Sequence, residues 1–436
     1  MQPPAVREAD TVRKVTRRLV PFLFVLYVVC FLDRVNVGFA SLQMNQDLGL
    51  SAAAYGFGAG IFFIGYALFE VPSNIILARV GARIWIARIA ITWGVLSACM
   101  MFVQGSRSFY ALRFLLGVAE AGFFPGIIYY LGNWFPAAAR ARAISWFMTA
   151  IPISAVIGGP LSGALLGLNG WHGLAGWQWL FLLEGIPSVI LGIAVLWFLT
   201  ERPADAKWLT PEERSWLDSS LDEERGRRLQ RHDISLRQMF AHRTVWELGA
   251  LYALGSAGTY GLALWLPQII KGFSASGDFA VGMMSAAPNV VAAIAMVMIA
   301  ARSDRTGERC LHVAACGLLA ALGFVAAAYL SSPWLSLAAL SVAAAGINGR
   351  YGPFWALPSI FLGEEAAAGG IAFINSFGAI AGFVAPYTIG IVRDLTGSFR
   401  GGLLFLGLLM FASAVMAAAM SRRAVLRPVY APEGAS

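Results

Sequence analysis

Twelve stretches of about 20 mostly apolar residues, separated by short polar turns, constrain this chain more than any other feature. A run of that length crosses the hydrocarbon core of a bilayer as a helix. Inside lipid, only helices and closed barrels satisfy every backbone polar group. The stretches fall at 19–44, 52–78, 84–104, 108–134, 143–168 and 177–199, then at 244–270, 278–301, 311–331, 334–361, 366–390 and 401–421. They predict an all-α membrane protein of twelve transmembrane helices. The chain is 58% hydrophobic and 13% charged, whereas a soluble domain is nearer a quarter charged. The first stretch holds Asp33-Arg34 and lacks a small-residue cleavage site, so it reads as a retained span rather than a signal peptide.

One long polar segment, 200–243, separates a six-span unit at 1–199 from a second at 244–436. Its Thr210-Pro211-Glu212-Glu213 is a capping box with Pro at the first helical position, so a short charged helix follows. It reads as a solvated tether between the halves. With the N-terminus placed inside, the inner loops and termini hold 24 Lys and Arg. The outer loops hold Arg107, Lys271, Arg393 and Arg400. That bias predicts a multi-pass inner (plasma) membrane protein with both termini cytoplasmic. Because the net charge of +8 is gathered in those loops, it does not argue for nucleic acid. Cys30, Cys99, Cys310 and Cys316 show no CxxC spacing and are expected as free thiols. HExxH and GxSxG are absent, so no enzyme, cofactor or metal is expected. A monomer is expected.

Ionised side chains near a bilayer centre cost at least about 2.5–3.5 kcal/mol each, so those that remain point to a task. The first half holds Asp33, Arg34, Glu70, Arg88, Arg113, Glu120 and Glu184; the second holds Arg350. Arg113 and Glu120 are seven residues apart and share a helix face. Gly117 between them leaves room for a neighbouring helix or a ligand. Their alternative reading is an internal ion pair that holds helices together. An Arg keeps its charge and binds carboxylates bidentately, which suits an anion site. A carboxyl in low dielectric exchanges its proton near neutral pH. Glu70 is expected in a structural or gating salt bridge with a loop Arg, and Glu184 in bundle packing. Asp278, Asp304, Glu364, Glu365 and Asp394 fall near loops, which leaves Arg350 without an acid in its own half.

The halves echo each other. Arg79-Val80-Gly81-Ala82-Arg83 follows span two and Arg305-Thr306-Gly307-Glu308-Arg309 follows span eight. Both resemble the Major Facilitator loop, with Ala78 in place of its Asp. That resemblance implies two pseudo-symmetric six-helix bundles around a central cavity, working by alternating access. Three further stretches, Phe31-Leu32-Asp33-Arg34-Val35-Asn36-Val37-Gly38, Tyr66-Ala67-Leu68-Phe69-Glu70-Val71-Pro72-Ser73-Asn74 and Arg113-Phe114-Leu115-Leu116-Gly117-Val118-Ala119-Glu120-Ala121-Gly122, resemble the anion:cation symporter family, as does Pro353-Phe354-Trp355-Ala356-Leu357-Pro358. Tartrate and phthalate permeases are its most similar members.

The resemblance implies a proton-coupled importer of a small organic acid. Arg34 and Arg113 would hold the carboxylate, Tyr66 would donate to it, and Asn375 would bind it from the other half. Asp33 and Glu120 would carry protons. Glu70, Asp304 and Arg305 are expected in gating. For Arg350 the resemblance supplies no role. It is read as the holder of a second carboxylate, with its neighbours Tyr351 and Phe354 flanking the ligand; otherwise it pairs with a first-half acid as a gate or turns to backbone carbonyls. The alternative is an anion exchanger or proton-driven efflux transporter of the same fold. Gly158-Gly159-Pro160-x-x-Gly163 faintly resembles an antiporter signature, which close helix packing explains equally well.

Overall fold

The computed structural model describes residues 4–229, 243–274 and 276–422. The side chains of 225–229 and 359–370 fall outside that description, and with them Glu364 and Glu365. So do Arg423 and Arg427 and residues 230–242 of the expected tether. The first bundle comprises α1 (Pro4–Asp47), α2 (Ala52–Val80), α3 (Ala82–Cys99), α4 (Ser106–Glu120), α5 (Phe123–Gly132), α6 (Ala137–Met148), α7 (Ala150–Leu166) and α8 (Gly176–Phe198). After α9 (Pro211–Leu229), the second comprises α10 (Arg243–Phe273), α11 (Asp278–Thr306), α12 (Cys310–Tyr329), α13 (Pro333–Gly349), α14 (Tyr351–Thr396) and α15 (Arg400–Arg422). Among the described residues there is no strand. Ten helical stretches are long and apolar enough to cross a membrane. The expected seventh span is α10, long enough at 31 residues but studded with Tyr252, Ser256, Thr259, Tyr260 and Gln268. The expected tenth is divided between α13 and α14 at Arg350.

Proline explains the divided spans. Pro125, Pro152 and Pro353 lack the N–H that would bond the carbonyl four residues back. The interruptions lie at Ala121–Gly122, Thr149 and Arg350. At the first, the carbonyl of Ala121 accepts instead from Ser73 Oγ at 2.6 Å. The chain there takes a left-handed step at Gly122, φ 84°. A Cβ at Gly122 would lie 2.8 Å from Ser73 Cβ, so only glycine fits. The expected turn at 361–366 is not a break in helical backbone; α14 runs across it. Tyr252 packs on Trp355, ring centroids 4.9 Å apart, and also bonds Asn375, twenty positions further on.

The bundles meet along α2 against α14, α7 against α11 and α1 against α10. Gly159 and Gly163 of α7 lie against Gly282 and Asp278 of α11, so close packing accounts for the Gly158-to-Gly163 stretch. Five further contacts across the seam lie at the end remote from the chain termini. Asp394 accepts from the backbone N–H of Ala52 and Ala53 at 2.9 and 2.8 Å. Tyr55 donates to the Leu264 carbonyl at 2.8 Å, Gln268 to Ser41 at 2.8 Å and Gln43 to Asp278 at 2.8 Å. This far side is sealed.

The capping box forms as expected: Thr210 N–H bonds Glu213 at 2.8 Å, and Glu213 N–H bonds Thr210 Oγ1 at 3.2 Å. The tether reading is corrected in one respect. Helix α9 is docked on the first bundle by buried Leu217 and Leu221, by Lys14–Glu213 at 2.8 Å and by Arg140–Glu224 at 2.9 Å. Glu201, after α8, accepts from the backbone N–H of Ala82 and Arg83 at the start of α3, 2.7 and 2.9 Å away. It supplies a carboxylate in the loop where Ala78 replaces one. The four cysteines are free.

Candidate functional site

The break that ends α4 presents Glu120 to α1. Its Oε1 accepts from Arg34 Nε at 3.0 Å and from Arg34 Nη2, and Cys30 Sγ lies 3.3 Å away. Glu120 is sealed, whereas the Arg34 side chain is 12% exposed. The Arg34 guanidinium also lies over the rings of Phe62 and Tyr66, 5.7 and 5.3 Å from their centroids. Tyr260 of α10 is within electrostatic reach of it from the other bundle. Arg34, Glu120 and Tyr66 are therefore brought together.

Arg113 is not part of that pair, although it shares the face of Glu120. The groove at Gly117 is filled by α2, whose Phe62 carbonyl would collide with any added Cβ. Arg113 turns to the same helix and donates from Nη2 to the Ala59 carbonyl at 3.2 Å, with Phe62 4.9 Å from its Cζ. Its Nε and Nη1 are buried without a partner. The expected Arg113–Glu120 neighbourhood is thus corrected: Glu120 reaches Arg34 instead.

Asp33 also departs from the expectation of a carboxylate working beside Arg34. Consecutive helical residues point about 100° apart, and Asp33 faces α3 and α8. It accepts from Trp93 Nε1 at 2.7 Å, Ser97 Oγ at 2.8 Å, Ser188 Oγ at 2.6 Å and Asn36 Nδ2 at 3.4 Å. Asp33 is a buried acid, 1% exposed, whose two oxygens accept from protein donors.

Arg350 stands at the α13–α14 interruption, 0% exposed. Its Nε, Nη1 and Nη2 are all without a partner among the described residues. Tyr351, Tyr252 and Phe354 surround the guanidinium, 5.0, 5.9 and 6.0 Å from its Cζ. On its fourth side Gly255 is bare because a Cβ would collide with the guanidinium. Asn375 enters through Tyr252, which donates to its Oδ1 at 3.4 Å. The expected flanking by Tyr351 and Phe354 is present. The nearby-loop acids are engaged elsewhere: Asp278 with Lys271 and Gln43, Asp304 with Arg309 at 2.6 Å, and Asp394 with α2.

Glu70 is half-buried on the terminal half of α2, and the charge that acts on it is that of Arg34 rather than of a loop arginine. Arg305 is exposed, one position from Asp304. Glu70 is within electrostatic reach of Arg34 and Tyr66. Trp93, Ser97, Ser188, Ser162, Tyr252 and Gly255 were missed by sequence reasoning. The serines and Gly255 show only as small residues in an apolar span, and Trp93 and Tyr252 only as aromatics in one, both of which most often mean packing.

The sequence profile of the Major Facilitator Superfamily matches residues 23–386. Over 416 residues the chain is 54% identical to a protein of Agrobacterium vitis named "Putative tartrate transporter", covering 95% of this chain and 92% of that one. Over 403 residues it is 42% identical to a quinolone resistance transporter of Acinetobacter baumannii, covering 92% and 93%. Its fold matches that of a bacterial homolog of the human lysosomal transporter Spinster, with a TM-score of 0.76 at 16% identity over 93% and 96% of the two chains. Two six-helix bundles meeting along three helix pairs, the degenerate loop repeated in each half and the profile that spans both bundles place this chain in the Major Facilitator Superfamily, as a multi-pass membrane transporter.

Proposed function

We propose that this protein is a proton-coupled symporter that imports a small organic acid anion, a hydroxy-dicarboxylate such as tartrate, by alternating access across the inner membrane. The observation that carries this reading is the Arg34–Glu120 pair: a partly accessible cation held by a sealed acid. While Glu120 is ionised, it competes with any substrate carboxylate for Arg34. A proton on Glu120 frees the guanidinium for the anion, so proton and substrate occupy the site together. Arg113 and Tyr66 are the further groups assigned to that carboxylate, and Asn375 binds from the second bundle. Glu120 is the coupling carboxyl of the Arg34 pair, and Asp33 is the acid of the buried polar network beside it. The Agrobacterium relative's name supports the substrate class, and Arg350 supports a second negative charge on it. Loop charge sets the termini in the cytoplasm, so the sealed far side is the outer one. Glu70, Asp304 and Arg305 lie on the inner side and are assigned to its closure.

A second reading, proton-driven efflux, is favoured by the Acinetobacter relative. Proteoliposomes separate the readings. Labelled tartrate is expected to concentrate inside when the medium is the more acid side, to stop with an uncoupler, and to fall more than about tenfold in Arg34→Gln. Uptake only into vesicles preloaded with anion would establish exchange instead. Extrusion toward the acid side would establish efflux.

A further inference from the structure

Glu184 was read from the sequence as packing, yet it lies in the same buried polar network as Asp33. Glu184 is 4% exposed, on α8. Its Oε1 accepts from Ser162 Oγ of α7 at 2.9 Å. Its Oε2 is buried with no partner. Asn36 of α1 lies between the two acids: its amide nitrogen faces Asp33 Oδ1 at 3.4 Å, and Glu184 is within its electrostatic reach. The amide oxygen of Asn36, an acceptor only, is also buried and unpartnered.

No cation neutralises this pair among the described residues. Arg34 is committed to Glu120, and Arg88 of α3 lies over Trp85 and donates to the Ala119 carbonyl at 3.4 Å. The groups facing Glu184 are Asp33 and Asn36 from α1 and Ser162 from α7, and those α3 sets around Asp33 are Trp93 and Ser97. Two carboxylates cannot both stay ionised in such a site; the pair holds one proton between them. Hydrogen bonding decides where it sits. Asp33 has four donors, three of them within 2.8 Å, and these favour its charged form. Glu184 has one donor, on Oε1, and none on Oε2 among the described residues. A hydroxyl on Glu184 would also be the donor that the Asn36 oxygen lacks.

We propose that Asp33, Asn36 and Glu184 form one proton-binding site, separate from the Arg34–Glu120 pair, in which Glu184 holds the exchangeable proton and Asp33 stays ionised. Binding adds a proton to the Glu184 carboxylate and the Asn36 amide oxygen accepts from it; release returns the carboxylate. The site's existence is independent of symport, and only its role in coupling rests on the function proposed above.

The test reads protonation first. Infrared difference spectra of the purified protein at neutral pH, in water and heavy water, report the carbonyl stretch of buried protonated carboxyls. Glu184→Gln keeps the side chain's size and its Ser162 contact. A band lost in Glu184→Gln and kept in Glu120→Gln is the expected result. A band lost only in Asp33→Asn, or no band that Glu184→Gln removes, would overturn the proposal. Proteoliposome accumulation then reads the role: Glu184→Gln is expected to lower gradient-driven accumulation about tenfold or more and to flatten its pH profile. An unaltered pH profile would make Glu184 structural. If the wild type itself ignores the gradient while the band assignment holds, symport fails and the proton site stands.

Discussion

Arg350 illustrates what one buried charge demands. A guanidinium has five donors and cannot be neutralised, and here none of its nitrogens finds a partner among the described residues. The aromatic faces of Tyr252, Tyr351 and Phe354 supply attraction but no hydrogen bond. Gly255, bare of a Cβ, makes room for the guanidinium itself. A second carboxylate of the substrate would satisfy what the protein leaves open. Arg350→Gln is therefore expected to weaken a dicarboxylate by at least about 1.4 kcal/mol, tenfold, and to leave its monoamide little changed. Isothermal titration of both ligands against both proteins checks this. Equal losses would make Arg350 structural. Loss of Arg34 or Arg113 bears on the first carboxylate and would affect both ligands.

At the scale of elements, proline placement positions the site. Spans four and ten occupy corresponding places in the two halves, and each is interrupted beside a charged residue: Glu120 before Gly122, and Arg350 before Pro353. Irregular backbone at membrane depth is tolerated where protein covers it, and Ser73 provides that cover at Ala121. Gly122→Ala forces a left-handed alanine, about 1–2 kcal/mol, and drives its Cβ into Ser73. It is expected to lower stability by at least that amount, read by denaturant unfolding in detergent. Ser73→Ala, which strands the Ala121 carbonyl, is expected to cost about 1–3 kcal/mol. Unchanged stability in both would mean the break is not enforced locally.

For the whole molecule, the contacts that close the far side would hold one of the two end states of the alternating access proposed above. Asp394 holds it with a charge at the N-terminus of α2, across the bundle seam. Two hydrogen bonds to a carboxylate are each worth roughly 1.5–3 kcal/mol, and the helix dipole adds about 0.3–1. Asp394→Asn removes the charge and one acceptor. It is expected to shift the balance toward the far-side-open state by at least about 1 kcal/mol, near fivefold. Spin labels on the α1–α2 and α10–α11 turns would read this as a larger long-distance population. An unchanged distance distribution would assign closure to the glycine packing of α7 on α11 instead.

The all-helical fold, most of the spans and most of the buried charges were legible in the sequence, because lipid forces every apolar run into a helix and makes each charge within one conspicuous; the ends of the tenth and eleventh spans were not. The lack of an acid partner for Arg350 among the described residues was legible too. The partners were not legible. Neighbours in sequence, Asp33 and Arg34 point to different helices; residues on one face, Arg113 and Glu120, find different partners because Gly117 admits α2 between them. Glu184 looked like packing until the fold set Asn36 between it and Asp33. The face a helix turns inward and the residue it meets there depend on how six helices pack around one another, and only the tertiary structure decides that.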